Sequence, residues 1–508
     1  MVNTVYTVAM WGIDGFEVSV ECNVERGLPE ISVIGLPDAS VKEATDRIRS
    51  VATNNSLPFI KGRTTINLAP ADKKKIGSYY DLAIFISLLK HSVIENVFTD
   101  DAVFIGELSL AGDLRAVSGA LPMCLAARDA GKKRIFLPYQ NVFEASVVKG
   151  MEIYGVKNIT ELISHLKGEE LITPVTYNES LVETRNSPII DFADIKGQEK
   201  AKRAMEIAAA GNHNVLLIGP PGSGKSMLSK ALIGILPDMT YDEIIDATKV
   251  HSVTGNLSEK TPVINTRPFR SPHHTVSHIG IVGGGVNPQP GEVSLAHNGI
   301  LFLDELTEFN KKTLEALRQP IEDGHITVAR ANYKLRYPSN FLLVCAMNPC
   351  PCGYFGSTQK ECNCTQSSVK RYIDKISGPL LDRIDIQIEV PAVNFDEMNS
   401  STVLENSEKV RQRVNRARKF SIKRLEKLGI KKDDVHRYKK ENCAFSNEAE
   451  EVLKTAFEKL SLSARGYDRI VRVARTIADL ENSDTVEKRH IFEAVQLRSL
   501  DRKYFNIL

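Results

Sequence analysis

No run of about 18 apolar residues occurs anywhere in this sequence of 508 residues, so nothing in it reads as a membrane-spanning helix. The start, Met1 to Gly12, lacks a basic segment followed by an apolar one, which argues against a secretion signal; the expectation is a cytoplasmic protein with no membrane partner. Cysteine is sparse. Eight in a chain this long cannot staple a disulfide scaffold, and four of them crowd between Cys350 and Cys364, which suits a reducing compartment and raises the question of a metal. Internal repeats and low-complexity tracts are missing as well. With 42% hydrophobic and 25% charged residues the chain is globular rather than disordered, and its length allows about three domains. Net charge is nearly absent, formally +2, and names no partner. Its distribution says more, because Lys409 to Lys440 holds fourteen Lys or Arg against three acids.

What is present is a phosphate-loop pattern without a mismatch: Gly219, Pro220, Pro221, Gly222, Ser223, Gly224, Lys225 and Ser226 fill G-x-x-x-x-G-K-[ST]. The apolar run Asn214 to Ile218 precedes it at strand length, and Met227 to Leu236 reads as a helix after it. Glycines let successive backbone N–H groups point into one cavity, and the helix N-terminus adds its positive dipole end. Lys225 reaches the β- and γ-phosphates and Ser226 holds Mg2+, so the chain is expected to bind ATP.

The strand-like Ile300 to Leu303 ends in Asp304 and Glu305. Alone, these could be two solvated acids capping a helix. Downstream of a phosphate loop, Asp304 completes the Mg2+ shell and Glu305 orients and deprotonates the attacking water. Asn348, at the end of the next apolar strand, offers a neutral amide to the water or the γ-phosphate; an Asn before Pro349 is otherwise a turn residue. Arg383 fits the need for a cation at the transferring phosphoryl group. Supplied by a neighbouring subunit it forces a ring, and the alternative is a local pair with Asp382 or Asp385. Arg465 opens a helix of the C-terminal region and is placed to reach the γ-phosphate, with Arg469 and Arg472 as competitors.

The layout expected is α/β throughout the first two parts: an N-terminal α/β domain over 1–166, a linker over 167–190, a nucleotide-binding core with a parallel sheet over 191–393 and a helical domain over 394–508. A cysteine-rich loop, 349–365, interrupts the core. Cys350, Cys352, Cys362 and Cys364 either bind a structural Zn2+ with no open coordination position or are partly buried free thiols; the C-x-C spacing is tighter than usual for zinc.

The ordered set GPPGSGKS, GILFLDEL, AMNPCPCGYFG and GPLLDRIDI, with PGEVSLAH before the second motif, resembles the magnesium-chelatase-like branch of the AAA+ ATPases and, more narrowly, the YifB/ComM family, over nearly the whole chain. The resemblance implies an N-terminal domain similar to the Lon protease C-terminal domain, an AAA+ core and a helical lid. It also implies a homohexameric ATPase that in ComM acts as a DNA helicase promoting branch migration during natural transformation. Two inserts then become candidates for contact with single-stranded or branched DNA. One carries Arg270, His273 and His274 and resembles a helix-2 insert. The other alternates like a hairpin around Ala331-Asn332 and carries Arg330, Lys334 and Arg336. Six copies would line a channel with about eighteen hairpin cations, holding a phosphate backbone without reading bases. The basic run 409–440 is either a further contact or a solvated face.

A Lon-like peptidase needs a serine nucleophile and a lysine base, and Tyr79 and Met123 occupy those positions; Ser78 is one residue off, and Lys73 to Lys75 lie in a charged loop. The domain therefore reads as proteolytically inactive, an assembly collar or a platform for DNA or a partner. Three rivals to the DNA motor stand: an ATP-dependent protease, a chelatase-like motor and a protein remodeller. Against the chelatase, the resemblance implies a motor subunit without such an N-terminal domain.

Overall fold

The computed structural model describes residues 2–58, 62–94, 99–183, 190–285, 288–330, 333–357, 360–395, 404–430, 440–460, 462–498 and 500. Contacts divide the chain into two units. The first is Met1–Glu183 with Tyr241–Asn265 and Ala329–Tyr337; the second is Thr184–Thr240 with Thr266–Val328 and Pro338–Leu508.

The first unit is built on a mixed seven-stranded sheet in the order Glu30–Ile34, Arg63–Ala69, Asp14–Glu25, Val2–Trp11, Ala102–Phe104, Arg134–Pro138, Glu152–Val156. Alternation drives it: in Asp14–Glu25 the buried Val18, Val20 and Cys22 alternate with partly exposed Ser19 and Glu21. Asp38 caps the helix Ala39–Asn54 by accepting from Val41 N at 2.9 Å, and the helix buries Val41, Ala44, Ile48, Val51 and Ala52 at helical spacing. The helix Asp81–Leu89 is buried along its whole length, and its one charge, Asp81, receives Arg47 through two bonds of 2.8 and 2.9 Å. Although it follows the phosphate loop in sequence, the helix Tyr241–Val253 belongs to this unit: Tyr241 donates its hydroxyl to Val147 O at 2.8 Å, and Gly119 N donates to Ser252 O at 3.1 Å.

In the second unit five parallel strands lie in the order Phe269–Arg270, Ile300–Leu303, Leu342–Met347, Val215–Ile218, Ile386–Glu389. Numbered along the chain from the right-hand edge this is 5-1-4-3-2, with the phosphate loop leaving strand 1. Val215–Ile218, Ile300–Leu303 and Leu342–Met347 are wholly buried because both faces are covered. Val215, Leu217, Phe302, Val344 and Ala346 feed one core, shared with the helix Glu199–Gly211 and with Val410, Ala449, Ile470 and Val473 of the C-terminal helices. Leu216, Ile218, Leu303, Cys345 and Met347 feed the other, which includes Leu314, Val369, Ile373 and Cys350. The helical region therefore completes the core of the sheet.

The edge strand Phe269–Arg270 was not expected, since the segment that carries Arg270 reads as an insert resembling a helix-2 insert. Only two residues long, it shows no periodicity; it is held by pairing with Ile300 and Leu301 and by Phe269 stacking on Phe302 with centroids 5.9 Å apart. Among the described residues the C-terminal helices are Ser407–Lys427, Asn447–Leu460, Ala464–Leu480 and Lys488–Gln496. No helix among the described residues is long and apolar enough to cross a membrane.

Candidate nucleotide-binding site

Strand register brings the site together. Ile218 lies opposite Met347 and Leu303 opposite Cys345, so Gly219, Asp304 and Asn348 all leave the sheet at its carboxyl edge. Gly219 N donates to Met347 O at 3.2 Å, and Gly224, with φ 91°, turns the loop into the helix Lys225–Ala231 in a conformation that a side chain would strain.

Lys225 is largely buried. Its Nζ donates to Gly219 O and Pro220 O at 2.8 Å each and to Asn348 Oδ1 at 3.3 Å, places a phosphate's oxygens would share. Desolvation pushes its ammonium down to about 8, with Asp304 opposing. Ser226 Oγ donates to Asp304 Oδ2 at 2.8 Å, and Asp304 Oδ1 accepts from Glu305 N at 3.0 Å. A hydroxyl and a carboxylate side by side are the hard oxygen donors Mg2+ takes. Glu305 itself sits at φ 51°, in the left-handed region, with His274 Nδ1 3.6 Å from its Oε2. Beside Glu305 and Asn348 a cleft of about 540 Å³ opens, walled by Pro351, Arg371, Tyr372 and Lys375.

The arginines form a second group. Arg383, 8% exposed, pairs with neither Asp382 nor Asp385: its guanidinium donates to Glu322 and to Pro379 O. Arg465, its side chain 60% exposed, stands 4.0 Å from the same Glu322. Its competitors are engaged elsewhere, for Arg469 and Arg472 reach Asp385 Oδ1 at 3.5 and 3.8 Å. Burial alone would raise the Asp385 carboxyl, but Arg472, His213 and Arg469 hold it well below the usual carboxylate range.

Of the residues expected to meet DNA, Arg270 pairs with Glu292 at 2.6 and 2.8 Å, His273 bonds Thr275 Oγ1 at 2.9 Å and His274 faces Glu305. Lys334 and Arg336 are exposed on one face of the strand Tyr333–Pro338 while Leu335 and Tyr337 are buried. The side chain of Arg330 and the turn Ala331-Asn332 lie outside the described residues. Much of the basic run is engaged inside the fold: Arg413 pairs with Glu206 and Glu405, Arg418 donates to Ala209 O and Ala210 O, and Arg424 pairs with Asp479. Residues 431–439 are outside the description. Sequence alone hides Glu206, Ala209, Ala210 and Asp479 as partners because they are distant in the chain from the arginines they meet.

In the first unit Ser78 Oγ donates to Glu107, Lys75 Nζ to Pro70 O, and Lys73 Nζ lies 4.4 Å from the centroid of the Phe16 ring; Met123 is fully buried. None of these lysine contacts makes a Ser–Lys pair. The Sγ atoms of Cys350, Cys352, Cys362 and Cys364 all lie within 4.8 Å of one another, a set that could hold a Zn2+ ion.

Residues 191–398 match the family model described as magnesium chelatase, subunit ChlI, and residues 404–498 match its C-terminal model. Over 504 residues the chain is 40% identical to the competence protein ComM of Haemophilus influenzae, covering 98% of this chain and 97% of that protein. This chain belongs to the YifB/ComM family of magnesium-chelatase-like AAA+ ATPases. An uncharacterized YifB protein of Escherichia coli is 39% identical over 503 residues, 98% of this chain and 97% of that one. The 38 kDa magnesium-chelatase subunit of Rhodobacter capsulatus is 28% identical over 184 residues, 32% of this chain and 52% of that one. A further model, described as subunit ChlI of Mg-chelatase, matches residues 20–141 of this YifB/ComM member. Family membership implies ATP and Mg2+ as cofactors.

Proposed function

We propose that this protein is a Mg2+-dependent ATPase that assembles as a homohexameric ring and drives single-stranded or branched DNA through its pore, promoting branch migration in homologous recombination. The convergence of Lys225, Ser226, Asp304, Glu305 and Asn348 at one sheet edge carries the reading. In it, Lys225 and the loop amides bind the β- and γ-phosphates, Ser226 and Asp304 hold the ion, Glu305 takes the proton of the attacking water, and Asn348 positions that water. Mg2+, when bound, neutralises charge building on the phosphates.

The ring is supported by the arginines: Arg383 and Arg465 meet at Glu322, and a neighbouring protomer's pocket is the natural destination of cations gathered there. Lys334 and Arg336, exposed on one strand face, supply a sequence-independent grip on phosphates. The N-terminal unit is read as a proteolytically inactive, Lon-like collar. A chelatase-like or protein-remodelling motor is the second reading, favoured by the chelatase model matching residues 20–141.

The test is the ATPase rate with and without single-stranded DNA and four-way junctions, followed by strand displacement on the junction. Stimulation by junctions and displacement that requires ATP are expected. A protein that stays monomeric while hydrolysing ATP at full rate, indifferent to DNA, would overturn the reading.

A further inference from the structure

We propose that Cys350, Cys352, Cys362 and Cys364 hold one Zn2+, and that this closed tetrahedral site braces the γ-phosphate side of the nucleotide pocket. The second half rests on the nucleotide reading above; the first does not.

Four sulfurs around one zinc at about 2.3 Å stand about 3.8 Å from each other along the edges of the tetrahedron. Here Cys350 Sγ lies 3.3 Å from Cys352 Sγ and 3.7 Å from Cys362 Sγ, and Cys352 Sγ lies 3.6 Å from Cys362 Sγ. With Cys364 included, all four fall within 4.8 Å. A disulfide would need about 2.05 Å between two of them and would leave the other pair unexplained. Enclosing an iron–sulfur cluster needs more room than four thiols this close provide. Backbone amides also point at the sulfurs: Phe355 N donates to Cys350 Sγ at 3.3 Å and Cys364 N to Cys362 Sγ at 3.5 Å. Such donors offset the negative charge of a metal-bound thiolate. Binding exchanges four thiol protons for one ion, with no change of oxidation state.

The position gives the ion its consequence. The first Cys-x-Cys arm follows Asn348 by two residues, and Asn348 Oδ1 touches Lys225 Nζ. The second arm ends two residues before the helix Gln366–Ile373, whose cap Thr365 accepts from Ser368 N at 3.3 Å. Between the arms, Gly353 lies so close to the phosphate loop that a Cβ there would come within 2.6 Å of Pro221 Cδ. Tying the arms together thus fixes Asn348 and presses the loop backbone onto Pro221.

The experiment uses the full-length protein purified without chelator. Elemental analysis is expected to find one zinc per chain, and Co2+ exchanged into the site should show the charge-transfer and d–d bands of a tetrahedral thiolate centre. The double substitution Cys362→Ser, Cys364→Ser should lose the zinc, keep the affinity for a fluorescent ATP analogue within about twofold and lower turnover about tenfold or more. Zinc below about a tenth of an equivalent in the wild-type protein, iron in its place, or a Cys350–Cys352 disulfide found by mass spectrometry would overturn the site. Full turnover in the zinc-free variant would overturn the brace alone. If the protein proved to hydrolyse no ATP, the nucleotide reading would fail while the zinc stoichiometry still decided the metal.

Discussion

His274 Nδ1 stands 3.6 Å from Glu305 Oε2, so a histidine from the segment expected to meet DNA touches the carboxylate expected to activate water. The two come from neighbouring parts of the sheet edge: His274 follows the strand Phe269–Arg270, and Glu305 follows Ile300–Leu303 one position inward. A carboxylate engaged by imidazole is less available to a water proton, and a pull on the segment would release it.

Replacing His274 by Ala should therefore raise the DNA-free ATPase rate and shrink its stimulation by DNA. An exposed pair of this kind is worth up to about 1 kcal/mol, which limits the rise to about fivefold. Steady-state rates with and without junction DNA read it directly. A DNA-free rate that falls would show that His274 assists Glu305 instead of restraining it. Glu305→Gln serves as the reference, with ATP still bound and turnover reduced about a hundredfold or more.

Lys225 sets a pH dependence for nucleotide binding. Burial lowers its ammonium to about 8, and a bound triphosphate would raise it again, so binding above pH 8 must take up a proton. The ATP dissociation constant should be flat below that value and weaken towards about tenfold per pH unit above it. Titration calorimetry in two buffers of different ionisation enthalpy measures the uptake. Equal affinities at about pH 7 and about pH 9 would exclude it.

Arg383→Ala should reduce turnover about a thousandfold if the guanidinium serves a neighbour's pocket. Mixed in equal amounts with Lys225→Ala chains, it should recover about a quarter of the wild-type rate, because a quarter of the seams then pair an intact phosphate loop with an intact arginine. Mixed rings as inactive as either parent would place the action of Arg383 inside its own subunit.

Asp385→Asn should destabilise the second unit by about 3–5 kcal/mol, since it leaves His213, Arg469 and Arg472 facing a neutral amide in a buried site. The carboxyl of Asp385 is lowered on folding, so its contribution is complete above the unfolded value of about 3.9 and is lost only as pH falls through the lower folded value. Thermal unfolding of variant and parent should differ by the same margin from neutral pH down to about 4, and the gap should close below it. A gap that closes near neutral pH would show that Asp385 is not held as a carboxylate.

Continuous apolar runs announced Val215–Ile218, Ile300–Leu303 and Leu342–Met347 because a doubly covered parallel strand has no polar face to break the run. The phosphate loop, Asp304, Glu305 and Asn348 were readable too, since each directly follows such a strand and their chemistry depends on residue type. Strand Phe269–Arg270 was hidden, being too short to carry a period and stabilised by neighbours. Fates of charged side chains were hidden for a related reason. That Arg383 meets Glu322, that Arg413 meets Glu206, and that Arg270 meets Glu292 depends on positions far apart or off the local pattern, which no spacing rule reaches.

The amino-acid order alone carried the nucleotide-binding motifs and the four thiols that follow Asn348, because local residue type and strand–loop–helix order suffice for both. Only the tertiary structure decided which cations are held by buried carboxylates, which histidine confronts Glu305, and that the four sulfurs converge within reach of one ion. Those are questions of distance between segments, and distance is set by how the sheets and helices pack.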